Sequence, residues 1–141
     1  MFKTRGLRHL ALRVKDVERS GRFYAQLFEM KEVWRPDPDN LYLSSGCDNL
    51  ALHRATGEEE ASTSRTNDLT QRLDHLGFIV PSVSDLENGY EIAVRDGLDI
   101  VHPLRHHRDG SASFYIRDPD GNVIQLLFEP GISPLEFKPT K

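Results

Sequence analysis

The chain has one cysteine, Cys47, and one tryptophan, Trp34. A lone thiol cannot close an intramolecular disulfide, so a disulfide-stapled secreted scaffold is excluded. Cys47 sits in a Ser-Ser-Gly-Cys-Asp-Asn run, which reads as a turn carrying an inert thiol rather than a nucleophile. No apolar run approaches the roughly 20 residues of a membrane span. Residues 1–6 carry charge without the apolar stretch that follows in a signal peptide, so a cytoplasmic location is expected. A basic excess is also missing: the net charge is −4. That balance weighs against nucleic acid or an anionic membrane surface as the main partner. Also absent are a glycine-rich phosphate loop, a Ser-His-Asp arrangement and a cysteine metal knuckle.

What is present is a repeat. The chain of 141 residues is long enough for one domain with a sizeable core. Residues 7–14, LRHLALRV, align without a gap on residues 73–80, LDHLGFIV, at an offset of 66. Leu7, His9, Leu10, Val14 and Val17 each meet an identical residue in the second copy. A helix follows each repeated strand. In the first, Asp16 is the expected N-cap, and Val17, Gly21, Tyr24, Leu27 and Phe28 fall at helical spacing. In the second, Ser84 and Glu87 have capping-box spacing, and Gly97 is the expected stop. Three strands are predicted after each helix: 31–35, 41–45 and 49–54, then 99–103, 111–117 and 122–128. Asp118-Pro-Asp-Gly121 marks the last turn. Each half therefore reads βαβββ, with module one at residues 6–55 and module two at 73–130. Residues 56–72 read as a solvated linker and 131–141 as an irregular tail.

Strand side chains alternate between faces. Leu10, Leu12 and Val14 suit a covering helix, which sends His9, Ala11 and Arg13 to the opposite face. The same reasoning places His75, Gly77 and Ile79 on the helix-free face. Ala51 and His53 join them from the fourth strand, and Val123, Gln125, Leu127 and Glu129 from the eighth. Curvature of the two related faces toward each other would make these residues line one cavity, where Ala51 and Leu127 would be wall contacts. Tyr115 is opposite in parity to Phe114 and Ile116, so it could donate a proton to a bound oxyanion. Arg13 could pair with an anionic substrate. Residues 105–108, RHHR, read as a loop at the pocket mouth.

The strand opening on His9, the helix with Phe23-Tyr24, the strand opening on His75 and the run from Phe114 through Asp118-Pro-Asp-Gly-Asn to Gln125-Leu resemble one family. It is the glyoxalase / bleomycin-resistance / extradiol-dioxygenase superfamily, also called vicinal oxygen chelate. The resemblance covers about Leu7 to Glu129. It implies an α+β fold of two βαβββ modules with mixed, curved sheets around a pocket, and a homodimer. It also implies a divalent metal (iron, manganese, nickel or zinc) bound by residues from four strands. By that pattern His9 and His75 match as ligands, and Gln125 stands where a Glu is most common. The fourth-strand position falls on Ala51, which cannot ligate; His53 lies two residues along the same face. Glu129 is four residues beyond Gln125, roughly 13 Å at ordinary strand rise, too far to replace it.

The leading expectation is a metal-dependent enzyme on a small substrate with vicinal oxygens. Ring-cleaving dioxygenase is favoured over a glyoxalase-type isomerase, because Gln125 cannot serve as the carboxylate base. Tyr115 and His53 are the candidate acid–base groups. The alternative, from a different functional class, is a metal-free protein of the bleomycin-resistance type that binds a drug or aromatic compound.

Overall fold

A computed structural model describes residues 7–56 and 73–135. The linker expected at 56–72 and the tail beyond 135 fall almost wholly outside the described residues. The chain divides into two compact units. In the first, β1 (His9–Val14) leads into α1 (Val17–Phe28), followed by β2 (Lys31–Asp37), β3 (Asn40–Ser44) and β4 (Asn49–Arg54). The second repeats the plan with β5 (Leu76–Ile79), α2 (Val83–Arg95), β6 (Ile100–His106), β7 (Ala112–Arg117) and β8 (Val123–Phe128). Each unit holds one four-stranded mixed sheet, ordered β1-β4-β3-β2 or β5-β8-β7-β6. The first strand of each unit runs parallel to the last, and the other neighbours are antiparallel. The fold is therefore α+β, with two βαβββ units. No described helix is long and apolar enough to cross a membrane.

Burial follows the alternation expected of one-faced sheets. On β1, Leu12 and Val14 are buried while His9, Ala11 and Arg13 are exposed. Helix α1 packs on β3 and β4, and α2 on β6, β7 and β8. The first core joins Tyr24 to Leu41, Leu43, Leu50 and Leu52; the second joins Leu86 and Ala93 to Phe114, Ile116 and Ile124. Each of the leucine, isoleucine and phenylalanine side chains taken out of water contributes about 1.5–3 kcal/mol. Gly21 lets α1 approach closely: a Cβ there would stand 2.5 Å from Leu41 Cδ2.

The helix ends explain themselves chemically. Asp16 accepts from the backbone N–H of Arg19 at 2.9 Å, satisfying a donor the helix leaves orphaned. The second cap is Ser82, which accepts from Asp85 N–H at 3.1 Å. This corrects the Ser84–Glu87 reading: the 66-residue offset carries Asp16 onto Ser82, and the repeat register prevails over the local capping-box match. Gly97, at φ 66°, ends α2 in a Schellman motif, with Leu98 N–H on Ala93 O and Gly97 N–H on Val94 O. Gly121 (φ 88°) closes the last turn, where Asp118 Oδ1 accepts from the N–H groups of Asp120 and Asn122.

One further expectation changes. Arg105 and His106 belong to β6, not to a loop, so the hairpin connection shortens to residues 107–111. Trp34 is 57% exposed on β2 and stacks beside Tyr42 at 4.8 Å between centroids.

Candidate functional site

The second unit contains a pocket of about 360 Å³. Asp74 and His75 reach it from the segment entering β5; His102, Pro103 and Arg105 come from β6. His107 follows β6, and Ser113 and Tyr115 stand on β7. Its size lies at the small end of the range for ligand sites, roughly 300–1,000 Å³.

Irregular pairing of β6 builds this wall. Its register against β7 shifts between Ile100 and His102, and again between His102 and Arg105. Each shift adds a residue to β6. His102 therefore pairs with Tyr115, and Arg105 with Ser113. Tyr115 and Ser113 share a face of β7, so His102 and Arg105 come to the same face although they are three positions apart. Pro103 is tolerated because β6 is an edge strand that need not donate at every position. The hairpin beyond is held by His107 N–H on Ser111 O at 2.8 Å. Asp109 accepts from Ser111 through both N–H and Oγ, and these bonds hold its carboxyl below the usual carboxylate range.

Tyr115 is the hub of the pocket. The rings of His75 and His102 stand edge-on to it, with centroids 5.4 and 5.1 Å away. Its hydroxyl oxygen accepts from Gln125 Nε2 at 2.7 Å. That bond directs the hydroxyl proton away from Gln125. It also leaves Gln125 Oε1 as an available acceptor or ligand. Gly77 pairs with Gln125 across β5 and β8, and a Cβ there would stand 3.8 Å from Oε1.

The histidines share one design. His75 Nδ1 meets Asp74 Oδ1 at 2.5 Å, and His9 Nδ1 meets Asn49 Oδ1 at 2.7 Å. His53 Nδ1 meets Asn40 Oδ1 at 2.5 Å, and its ring stands edge-on to Tyr42. A side-chain oxygen at Nδ1 fixes the tautomer and leaves the Nε2 lone pair for a metal or a proton.

The structure thus brings His75, Tyr115 and Gln125 together in the second unit, and places His9 and His53 on the sheet of the first. Leu127 lies on β8, half-buried and outside the pocket wall. Arg13 is turned toward the Arg54 carbonyl oxygen, at 3.5 Å. Ala51 corrects an expectation: it is fully buried between Ala11 and Tyr42 and presents no surface to a ligand. Sequence reasoning missed His102, Ser113, Asp74 and Asn49 as site residues. Pro103 inside a predicted strand was the available signal of an irregular β6.

The proposed metal donors are two imidazole Nε2 atoms and one amide Oε1. All are atom types competent for a divalent cation. Being neutral, they leave the cation's charge for anionic ligand oxygens to balance. Among the described residues, no group of three His, Cys, Asp or Glu side chains is placed to hold a metal.

Comparison with known proteins agrees with this architecture. Residues 9–79 of the two repeated strands fall within a match over residues 6–126 to the family described as the Glyoxalase/Bleomycin resistance protein/Dioxygenase superfamily. The chain is 35% identical over 68 residues to biphenyl-2,3-diol 1,2-dioxygenase 3 of Rhodococcus globerulus, covering 48% of this chain. The matched segment spans 34% of that relative's length. The lactoylglutathione lyase structure from Agrobacterium tumefaciens superposes with a TM-score of 0.68 at 18% identity, covering 89% of this chain and 94% of that one. The fosfomycin resistance protein FosX from Mesorhizobium loti gives 0.64 at 22%, covering 90% and 94%. These two likenesses show the shared fold. With the family match extending over nearly the whole of both units, the chain belongs to the glyoxalase/bleomycin resistance protein/dioxygenase superfamily.

Proposed function

We propose that the chain is a divalent-metal-dependent enzyme acting on a small substrate with adjacent oxygens, with ring cleavage of a catechol-type compound as the favoured reaction class. His9, His75 and Gln125 would hold the metal. When bound, it would supply Lewis acidity toward the two substrate oxygens. The observation that carries this reading is the cluster around Tyr115: His75 keeps Nε2 free, Gln125 keeps Oε1 free, and the Tyr115 hydroxyl accepts from Gln125 and so has its own proton to give. Tyr115 then donates to a substrate oxygen as charge develops there. His53, with Nδ1 held by Asn40, is the second proton-transfer candidate. The dioxygenase relative supports ring cleavage over isomerisation. So does an amide at residue 125, where an isomerase would need a base.

The all-neutral donor set favours one competing reading, a metal-free binder of a drug-like or aromatic compound. Titration calorimetry with Fe²⁺, Mn²⁺, Ni²⁺ and Zn²⁺, on the untagged protein and on His75→Ala, separates the two. Stoichiometric binding lost in the variant, with oxygen uptake on a catechol, is the expected result. No binding of any of these ions by either protein would overturn the enzyme reading.

A further inference from the structure

We propose that the second-unit pocket selects a monoanionic substrate, an aromatic carboxylate, with Arg105 as the carboxylate's counter-ion. The inference rests on that pocket being the substrate site proposed above, and adds the substrate's charge and shape.

The charges of the wall argue for an anion. Asp74 is the one carboxylate lining the pocket, and its Oδ1 is engaged by His75 Nδ1. Arg105 is the one arginine lining it, and no carboxylate of the described residues pairs with it. Arg105 pairs with Ser113, which puts this guanidinium on the face of β7 that carries Tyr115 and Ser113. A planar guanidinium fork matches a carboxylate through two parallel N–H···O bonds. His107 lies on the same wall, its Nε2 3.3 Å from Ser113 Oγ, beside the position Arg105 pairs with. The Ser113 hydroxyl is a second polar group available to the anion.

Charge balance distinguishes a monoanion from a dianion. Asp74 is taken up by His75, so Arg105 is the one cation of the wall without a carboxylate partner among the described residues, and the remaining lining groups are histidines, a tyrosine, a serine and a proline. One guanidinium opposite one carboxylate balances a carboxylate ligand better than a doubly charged phosphate. Shape points to a ring: the aromatic rings of His75 and His102 each stand edge-on to Tyr115, and all three side chains line the cavity. A volume near 360 Å³ suits a single substituted ring. With its carboxylate on Arg105, such a ring would turn its hydroxyl oxygens toward His75 and Tyr115.

The test measures binding to metal-free protein by ligand-observed NMR and calorimetry. The probes are 2,3-dihydroxybenzoate, catechol and inorganic phosphate, against wild type and Arg105→Gln. Arg105 is exposed on an edge strand, and circular dichroism checks that the variant folds. The expected result is that 2,3-dihydroxybenzoate binds more tightly than catechol, and that Arg105→Gln weakens it about ten-fold or more while catechol changes less than about two-fold. Catechol binding as tightly as the carboxylate, or both weakening equally in the variant, would overturn the anion inference and leave the vicinal-oxygen reading standing. Phosphate binding more tightly than the carboxylate would overturn the monoanion assignment. Binding of neither ring compound, with or without added Fe²⁺ or Mn²⁺, would overturn both readings.

Discussion

Gln125 on β8 donates from Nε2 to the hydroxyl oxygen of Tyr115 on β7 at 2.7 Å, between two residues the sheet pairs directly. The bond sets the polarity of the pocket: the amide oxygen and the phenolic proton are both left for something else. Replacing Gln125 with Glu reverses that polarity, because a carboxylate must accept from Tyr115. Gln125→Glu is expected to bind divalent metal more tightly than wild type, since it adds an anionic ligand, and to lose the Tyr115 proton as a donor to substrate. Metal titration beside catechol binding reads both effects; unchanged metal affinity would remove Gln125 from the ligand set.

Asp74 lines the pocket and holds His75 through its Nδ1. Its side chain is 94% exposed, so removing it should leave folding intact. Asp74→Ala is expected to weaken metal affinity by about 10–100-fold, the usual cost of losing the partner that orients a ligating imidazole, with an unchanged urea midpoint. Equal affinities in the two proteins would show that this contact does not prepare His75.

Two helical glycines should respond oppositely to alanine. At Gly89 a Cβ would find Leu126 and Phe114 at 3.8 Å, an ordinary contact, so Gly89→Ala should stabilise by up to about 1 kcal/mol. At Gly21 it would meet Leu41 Cδ2 at 2.5 Å, and Leu41 is buried. Overpacking of about 1–3 kcal/mol should cancel or exceed the helix gain. Urea denaturation of the two variants tests the contrast, and equal stabilisation of both would refute it.

Phe114 anchors the second core, buried under α2 with its ring 5.3 Å from Tyr90. Phe114→Ala should cost about 3–5 kcal/mol. A loss under about 1 kcal/mol in equilibrium unfolding would mean that the core closes over the gap.

Acid should loosen the start of α1. The backbone N–H of Arg19 holds the Asp16 carboxyl below its ordinary value of 3.8. A depressed folded value means the contribution is complete above the ordinary carboxylate range and is lost as pH falls through the folded value. Asp16→Asn keeps an acceptor but cannot titrate. The stability gap between wild type and Asp16→Asn, read from urea midpoints, should shrink from pH 7 to pH 3. A gap independent of pH would show that the charge plays no part in the cap.

The βαβββ repeat was legible from the residues alone, because strand and helix periodicities are local and the 66-residue offset states them twice. The faces of β1 followed too: regular alternation sends His9 and Arg13 away from Leu12 and Val14 wherever the strand pairs. The register of the repeat also carried the true cap, Ser82, against the nearer Ser84. The pocket wall came from strand pairing instead. Alternation would put His102 and Arg105 on opposite faces of β6, and only pairing against β7 shows the added residue that brings them together. Nor could spacing reveal that Asn49 would meet His9: they are forty residues apart and join only because β1 and β4 run parallel in register. Periodicity reports which face a residue takes within its own element. Register between elements depends on contacts distant in sequence, and in the second unit that register made the pocket.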